Sequence, residues 1–262
     1  MCRYSIADSV KPMNELQEIY QGYFYEIQPI LDYIKDNWGK YREYMGWKDL
    51  NSPIIHSPQI LFLGMNPGPG RYRSWNNGKK WNDHILPPDL PTPWRSCIGW
   101  LTPDNARVYK NGKQAHWWDD KAKLHNLLPN TMCRLLCEIY HKEQESLTKE
   151  ELTEFFNKHV MVTNISPLVT EDLIALKKLY RKLDKSSPWK ETESIFLNHT
   201  LRVIDLVKPQ LIVYLGKYEK NLIHKDILNR GIPTVTINRS FGWYSKKNQK
   251  LIQEQITTKL SL

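Results

Sequence analysis

Three asparagines stand where apolar, strand-like runs break off. Asn66 follows Ile60-Leu61-Phe62-Leu63-Gly64, Asn164 ends Val160-Met161-Val162-Thr163, and Asn238 follows Thr234-Val235-Thr236-Ile237. An amide side chain can both donate and accept a hydrogen bond, but it cannot take up a proton as a carboxylate can. Chemistry built on such groups reads the edge of a planar ligand and holds a water molecule, and it works by positioning. Around Asn66 the string Gly64-Met65-Asn66-Pro67-Gly68-Pro69 is stiff before anything binds, because each Pro fixes a φ angle, while Gly lets backbone approach a ligand closely. Two plainer roles stay open. Asn66 could simply stabilise its own turn, and Asn164 could bond its own backbone at a strand end.

An apolar strand running into Gly64-Met65-Asn66-Pro67-Gly68-Pro69 resembles the first active-site motif of the uracil-DNA glycosylase superfamily, most nearly its single-strand-selective monofunctional branch. Three further stretches resemble that branch in order and rough spacing: Trp38-Gly39-Lys40-Tyr41-Arg42-Glu43-Tyr44, then Val160 to Leu168, then Leu211-Ile212-Val213-Tyr214-Leu215-Gly216. The likeness runs from about Trp38 to the C-terminus and is thin between the motifs.

The resemblance implies a set of roles. Asn66 would hold the attacking water near the sugar carbon, and Met65, Pro67 and Gly68 would contact the base. Asn164 would read the base edge. Trp75 and Trp81, just after the first motif, are the candidates for stacking on the base. The last motif departs from that branch. A His-Pro-Ser stretch is expected after the fourth strand, but here the chain reads Asn238-Arg239-Ser240, which resembles the mismatch-specific branch. Asn238 then offers a neutral donor where an imidazolium would steady the leaving base. Phe241, Trp243 and Tyr244 would fill the gap left in the duplex. Arg239, Ser240, Lys246 and Lys247 would grip the flanking DNA. The bland alternative is a basic, aromatic surface loop.

Composition agrees with a nucleic-acid partner. The 262 residues carry 37 Lys and Arg against 28 Asp and Glu, a net charge of +9, and phosphate neutralisation supplies most sequence-independent affinity for nucleic acid. Ten Trp and fourteen Tyr add flat faces on which bases could stack. No apolar run approaches twenty residues, so no membrane span is expected. Met1-Cys2-Arg3-Tyr4-Ser5 has no signal-like segment, so cytosol or nucleoid is the expected location. Some glycosylases of the superfamily hold an iron–sulfur cluster on four cysteines. Here Cys133 and Cys137 lie a helical turn apart in an apolar helix pattern and, with Cys2 and Cys97, read as free thiols. No cofactor and no metal is expected.

The elements that must position these residues follow from periodicity. Helical spacing runs from Met13 to about Met45, and again over 124–140, 195–207, 218–228 and 246–258. Strands are expected at 59–64, 160–165, 211–215 and 234–237, and an Asn-Gly hairpin at 108–113. Segment 171–190 reads as a helix followed by a loop, its Lys and Arg on a solvated face. Residues 70–123 form a long Trp- and Pro-rich insertion without a sustained period. Alternating strands and helices predict one α/β domain, with a central four-stranded, mostly parallel sheet covered by helices on both faces.

The expected function is that of a monofunctional, monomeric DNA glycosylase that flips out a pyrimidine and hydrolyses its N-glycosidic bond. A bulky modified cytosine is the expected base, including one found in viral DNA, which would make the protein an antiviral defence factor. Ordinary uracil repair is the first alternative. A catalytically silent binder of modified or single-stranded DNA is the second. Lyase action would need a desolvated Lys beside the sugar, and the sequence nominates none.

Overall fold

Every side chain of the first core strand is buried, and successive ones serve opposite sides. The structure, a computed structural model, describes 13–66 except 42, 45–46, 48–51 and 53, the hairpin strands 106–108 and 114–116, scattered positions between 135 and 159, most of them helical, and then 160–237 and 246–260. In chain order the elements are α1 (Met13–Asp36), β1 (Ile60–Gly64), β2 (Ala106–Val108), β3 (Gln114–His116) and β4 (Val160–Asn164). They continue as α2 (Leu173–Ser186), α3 (Thr192–Val207), β5 (Ile212–Tyr214), α4 (Lys217–Asn229), β6 (Thr234–Thr236) and α5 (Lys246–Leu260).

Strands β4, β1, β5 and β6 lie side by side in that order, all parallel. This is the predicted α/β sheet. Alternation splits the core in two. Leu61, Leu63, Met161, Ile212 and Tyr214 face the layer formed by α1, α2, α3 and α4. Ile60, Phe62, Val160, Val162 and Val213 face α5 and the helical residues Leu135, Cys137 and Ile139. Strands buried on both faces read as unbroken apolar runs, which is why the sequence marks them so clearly. The described strands of the Asn-Gly hairpin, β2 and β3, pair antiparallel with Val108 opposite Gln114.

Helix α1 is shorter than the periodicity suggests. It ends at Asp36 and passes into a short 3-10 turn, Trp38–Lys40. Asn37 stops it by turning its Nδ2 back to the Tyr33 carbonyl, 2.9 Å away. Beyond the turn, Trp47 bridges to Leu168, and the Ser52 hydroxyl accepts from the Val162 N–H at 2.7 Å. The N-terminal segment thus covers the outer edge of β4, which would otherwise expose unpaired backbone groups.

Connections set the location of a ligand crevice. From β1 the chain passes to β4 on one side, whereas from β5 it passes to β6 on the other. Right-handed crossovers put oppositely directed connections on opposite faces. The helical residues between β1 and β4 do sit on one face, and α4, between β5 and β6, on the other. The carboxyl ends of neighbouring β1 and β5 are therefore a topological switch point, where open α/β sheets bind ligands.

Candidate active site

Gly64, the last residue of β1, stands opposite Asn164, the last residue of β4. Their pairing runs on past both strands. The Ile165 N–H donates to the Gly64 carbonyl at 2.9 Å and the Ser166 N–H to the Met65 carbonyl at 2.7 Å. The two loops that leave the sheet here are tied together at their roots.

Asn164 folds its side chain over Gly64. A Cβ built on Gly64 would stand 2.5 Å from Asn164 Oδ1 and 3.5 Å from Leu215 Cδ1. Glycine is required because of close approach, not because of an unusual φ. Asn164 is 7 % exposed, and its Nδ2 has no hydrogen-bond partner among the described residues. A buried donor left unpaired costs about 1–3 kcal/mol, so at the rim of a sheet it marks a place built for an acceptor.

Asn66 lies two residues beyond Gly64 and is half-buried. Its Nδ2 donates to Thr170 Oγ1 at 3.0 Å. The single hydroxyl hydrogen of Thr170 is already given to the Asp172 carbonyl at 2.8 Å. Thr170 must therefore accept, and the amide can face it only through nitrogen. Asp172 is itself fixed as the cap of α2, its carboxylate accepting from the Ala175 N–H at 2.8 Å. The Oδ1 of Asn66 is thereby turned away from Thr170.

The groups shown against these two amides, Thr170 and Gly64, are neutral. Nearby hydroxyls stay protonated. Burial holds the Tyr180 phenol far above its ordinary value, with Ser166 opposing weakly, and burial also raises Tyr214 at the end of β5. Beyond β5, Glu219 is buried at the start of α4, and a Cβ on Gly216 would meet its Oε2 at 2.6 Å. That carboxylate covers the N-terminal end of the helix, where backbone N–H groups and the helix dipole favour negative charge.

Two of the three asparagines are thus placed, on neighbouring strands of one rim. The Met65 side chain belongs to the core at 5 % exposure, so any ligand contact it makes is through its backbone. Lys246 and Lys247 open α5. Pro67, Gly68, Trp75, Trp81, Asn238, Arg239, Ser240, Phe241, Trp243 and Tyr244 lie outside the described residues. Sequence reasoning missed Thr170 and the structural demand on Gly64. The signal for the first was present, since Asp172 just before an apolar-periodic run is a helix-cap pattern. The signal for the second was absent, because it depends on strand register.

No protein-family model and no curated protein sequence matches this chain. Function is therefore read from the site itself. Cys137 is buried in the core between the sheet and the helical residues around it. Among the described residues no group of three or more His, Cys, Asp or Glu could hold a metal ion, and no helix is long and apolar enough to cross a membrane.

Proposed function

We propose that the protein is a monofunctional DNA glycosylase that excises an extruded pyrimidine. The observation that carries this reading is the buried Nδ2 of Asn164, unpaired among the described residues, at the strand end next to the one from which Asn66 emerges. A nucleobase inside a duplex hides its Watson–Crick edge and its glycosidic bond, so it must leave the stack to be cut. Its edge then meets Asn164, whose free donor takes a ring nitrogen or carbonyl oxygen of the base.

In the hydrolysis, water oxygen bonds to the sugar C1′ as the C1′–N bond breaks. The bonding pair leaves with the base, and the proton shed by water passes to solvent or to that base. Asn66 Oδ1, aimed by the lock on Nδ2, accepts a hydrogen bond from the water. An amide cannot remove the proton, so the rate rests on placement and on stabilising positive charge at the sugar. The favoured substrate is a bulky modified cytosine, because Asn238 replaces the histidine expected to support a departing uracil. Such a base in viral DNA would make the protein a defence factor.

The test is a panel of oligonucleotides carrying uracil, thymine mismatches and 5-substituted cytosines, with chromatography for free base and alkaline work-up for abasic sites. Release of a substituted cytosine, lost in Asn66→Ala, is expected. Fast release of uracil alone overturns the choice of base. The absent histidine also favours a silent DNA binder, and DNA binding without release from any member of the panel would establish that reading instead.

A further inference from the structure

Helix α2 starts at the lip of the site, capped by the residue that fixes Thr170, and its two sides differ sharply. Leu176, Leu179 and Leu183 are fully buried and Tyr180 nearly so. On the opposite side, Ile174, Lys178, Arg181 and Lys185 follow one another at steps of four, three and four, so they form a single ridge, and all four are exposed. Ile174, at 78 % exposure, is the most exposed of the large hydrophobics among the described residues.

The ridge is cationic beyond local needs. Glu43 takes up part of the charge, lying 3.0 Å from Lys178 Nζ and 2.7 Å from Lys182 Nζ. Lys177 lies over the Tyr218 ring at 4.1 Å. Asp184 is turned towards the start of α3, where it accepts from the Thr192 N–H and hydroxyl. Arg181 and Lys185 are held by no acidic partner among the described residues. Glu171 and Asp172 are exposed at the mouth end, so attraction for an anion begins farther along the helix, at Lys178. From Lys178 to Lys185 the helix rises about 10 Å, room for about three phosphates of a stacked strand at ~3.4 Å each.

We propose that the outer ridge of α2 is a docking surface for a nucleic-acid strand, holding the phosphates that flank the nucleotide delivered to the Asn66–Asn164 site. This rests on the glycosylase reading for its direction, and on charge complementarity for its partner. A membrane surface is a poor fit because the apolar side of α2 is committed to the core, leaving no apolar face to enter lipid.

The experiment is the salt dependence of binding to a fluorescein-labelled, unmodified single-stranded 20-mer, read by anisotropy between about 50 and 200 mM NaCl. For the double variant Arg181→Ala/Lys185→Ala the slope of log Kd against log salt should fall in magnitude by about 1.4, since each lost phosphate contact on a single strand removes about 0.7. Lys35→Ala/Lys225→Ala, which removes two exposed lysines elsewhere, should keep the wild-type slope, and thermal melts check that both variants fold. An unchanged slope in the ridge variant, an equal fall in the control, or no DNA binding by the wild type overturns the proposal. Base release is scored separately on the panel above. A slope change without any release removes the glycosylase reading and keeps the ridge; release with an unchanged slope does the reverse.

Discussion

Asn66 and Thr170, 104 positions apart in the chain, are joined by one hydrogen bond that fixes which way the Asn66 amide faces. Thr170 can accept from Asn66 because it spends its own hydrogen on Asp172. Thr170→Val keeps the shape and removes the lock. The amide then loses that anchor, and misplacement of about 1 Å in such a site can cost ~100-fold. Single-turnover base release is expected to fall by ~10- to 100-fold while DNA affinity stays close to wild type. Thr170→Ser should restore most of the rate. Equal rates for Val and Ser would show that the hydroxyl does not aim the amide.

Gly64→Ala tests the other contact. The added methyl would sit 2.5 Å from Asn164 Oδ1, and Asn164 is closely confined, so either the side chain or the strand end must shift. Overpacking of this kind costs about 1–3 kcal/mol. Urea denaturation should show that loss, and base release should fall further than the stability change explains. A second change, Asn164→Ala, should recover stability in the Gly64→Ala background without recovering release.

Strands β1, β4 and β5 were legible because each is a short run, largely apolar, buried along its whole length, and the edge strand β6, Thr-Val-Thr with half-buried ends, was legible through its β-branched residues. The periodic apolar residues of the first segment end at Ile34, close to the observed end of α1 at Asp36, and the bond from Asn37 to the Tyr33 carbonyl marks that end. What could not be read was register. That Gly64 meets Asn164 follows from which residues of β1 and β4 pair, and local sequence does not specify pairing between strands about a hundred residues apart. For Thr170 the cap pattern at Asp172 was a local signal, but its partner Asn66 lies 104 positions away and no local pattern names it. The ridge on α2 was visible only as a run of Lys and Arg. Its meaning depends on where the helix begins, and the sequence placed that start no more closely than segment 171–190.

Asn164 separates function from stability. Its Nδ2, unpaired among the described residues, carries a penalty of about 1–3 kcal/mol that an apolar side chain of similar size would not carry. Asn164→Leu should therefore melt at the wild-type temperature or up to ~3 °C higher, with base release lost. A structural asparagine would behave oppositely, with lower stability and unaffected release. Differential scanning calorimetry beside the release assay distinguishes the two.

Glu43 provides the pH-dependent part of the fold around the ridge. Burial alone would raise its pKa, but hydrogen bonds from Lys182 and Lys178 outweigh that and bring it below the ordinary value of 4.5. A carboxylate with a lowered folded pKa stabilises fully above its unfolded value, and the contribution disappears as pH falls through the folded one. Glu43→Gln should cost about 1 kcal/mol at neutral pH, since both lysines are partly in water. The difference from wild type should shrink towards zero as the pH falls below the ordinary carboxylate range and through the lowered folded value. Urea titrations at both ends of that range measure it. The same variant releases Lys178 and Lys182 from their acidic partner, so it should bind the labelled 20-mer more tightly at low salt and with a steeper salt slope. An unaltered slope would mean that these lysines face no phosphate, and the contact surface would then be confined to Arg181 and Lys185.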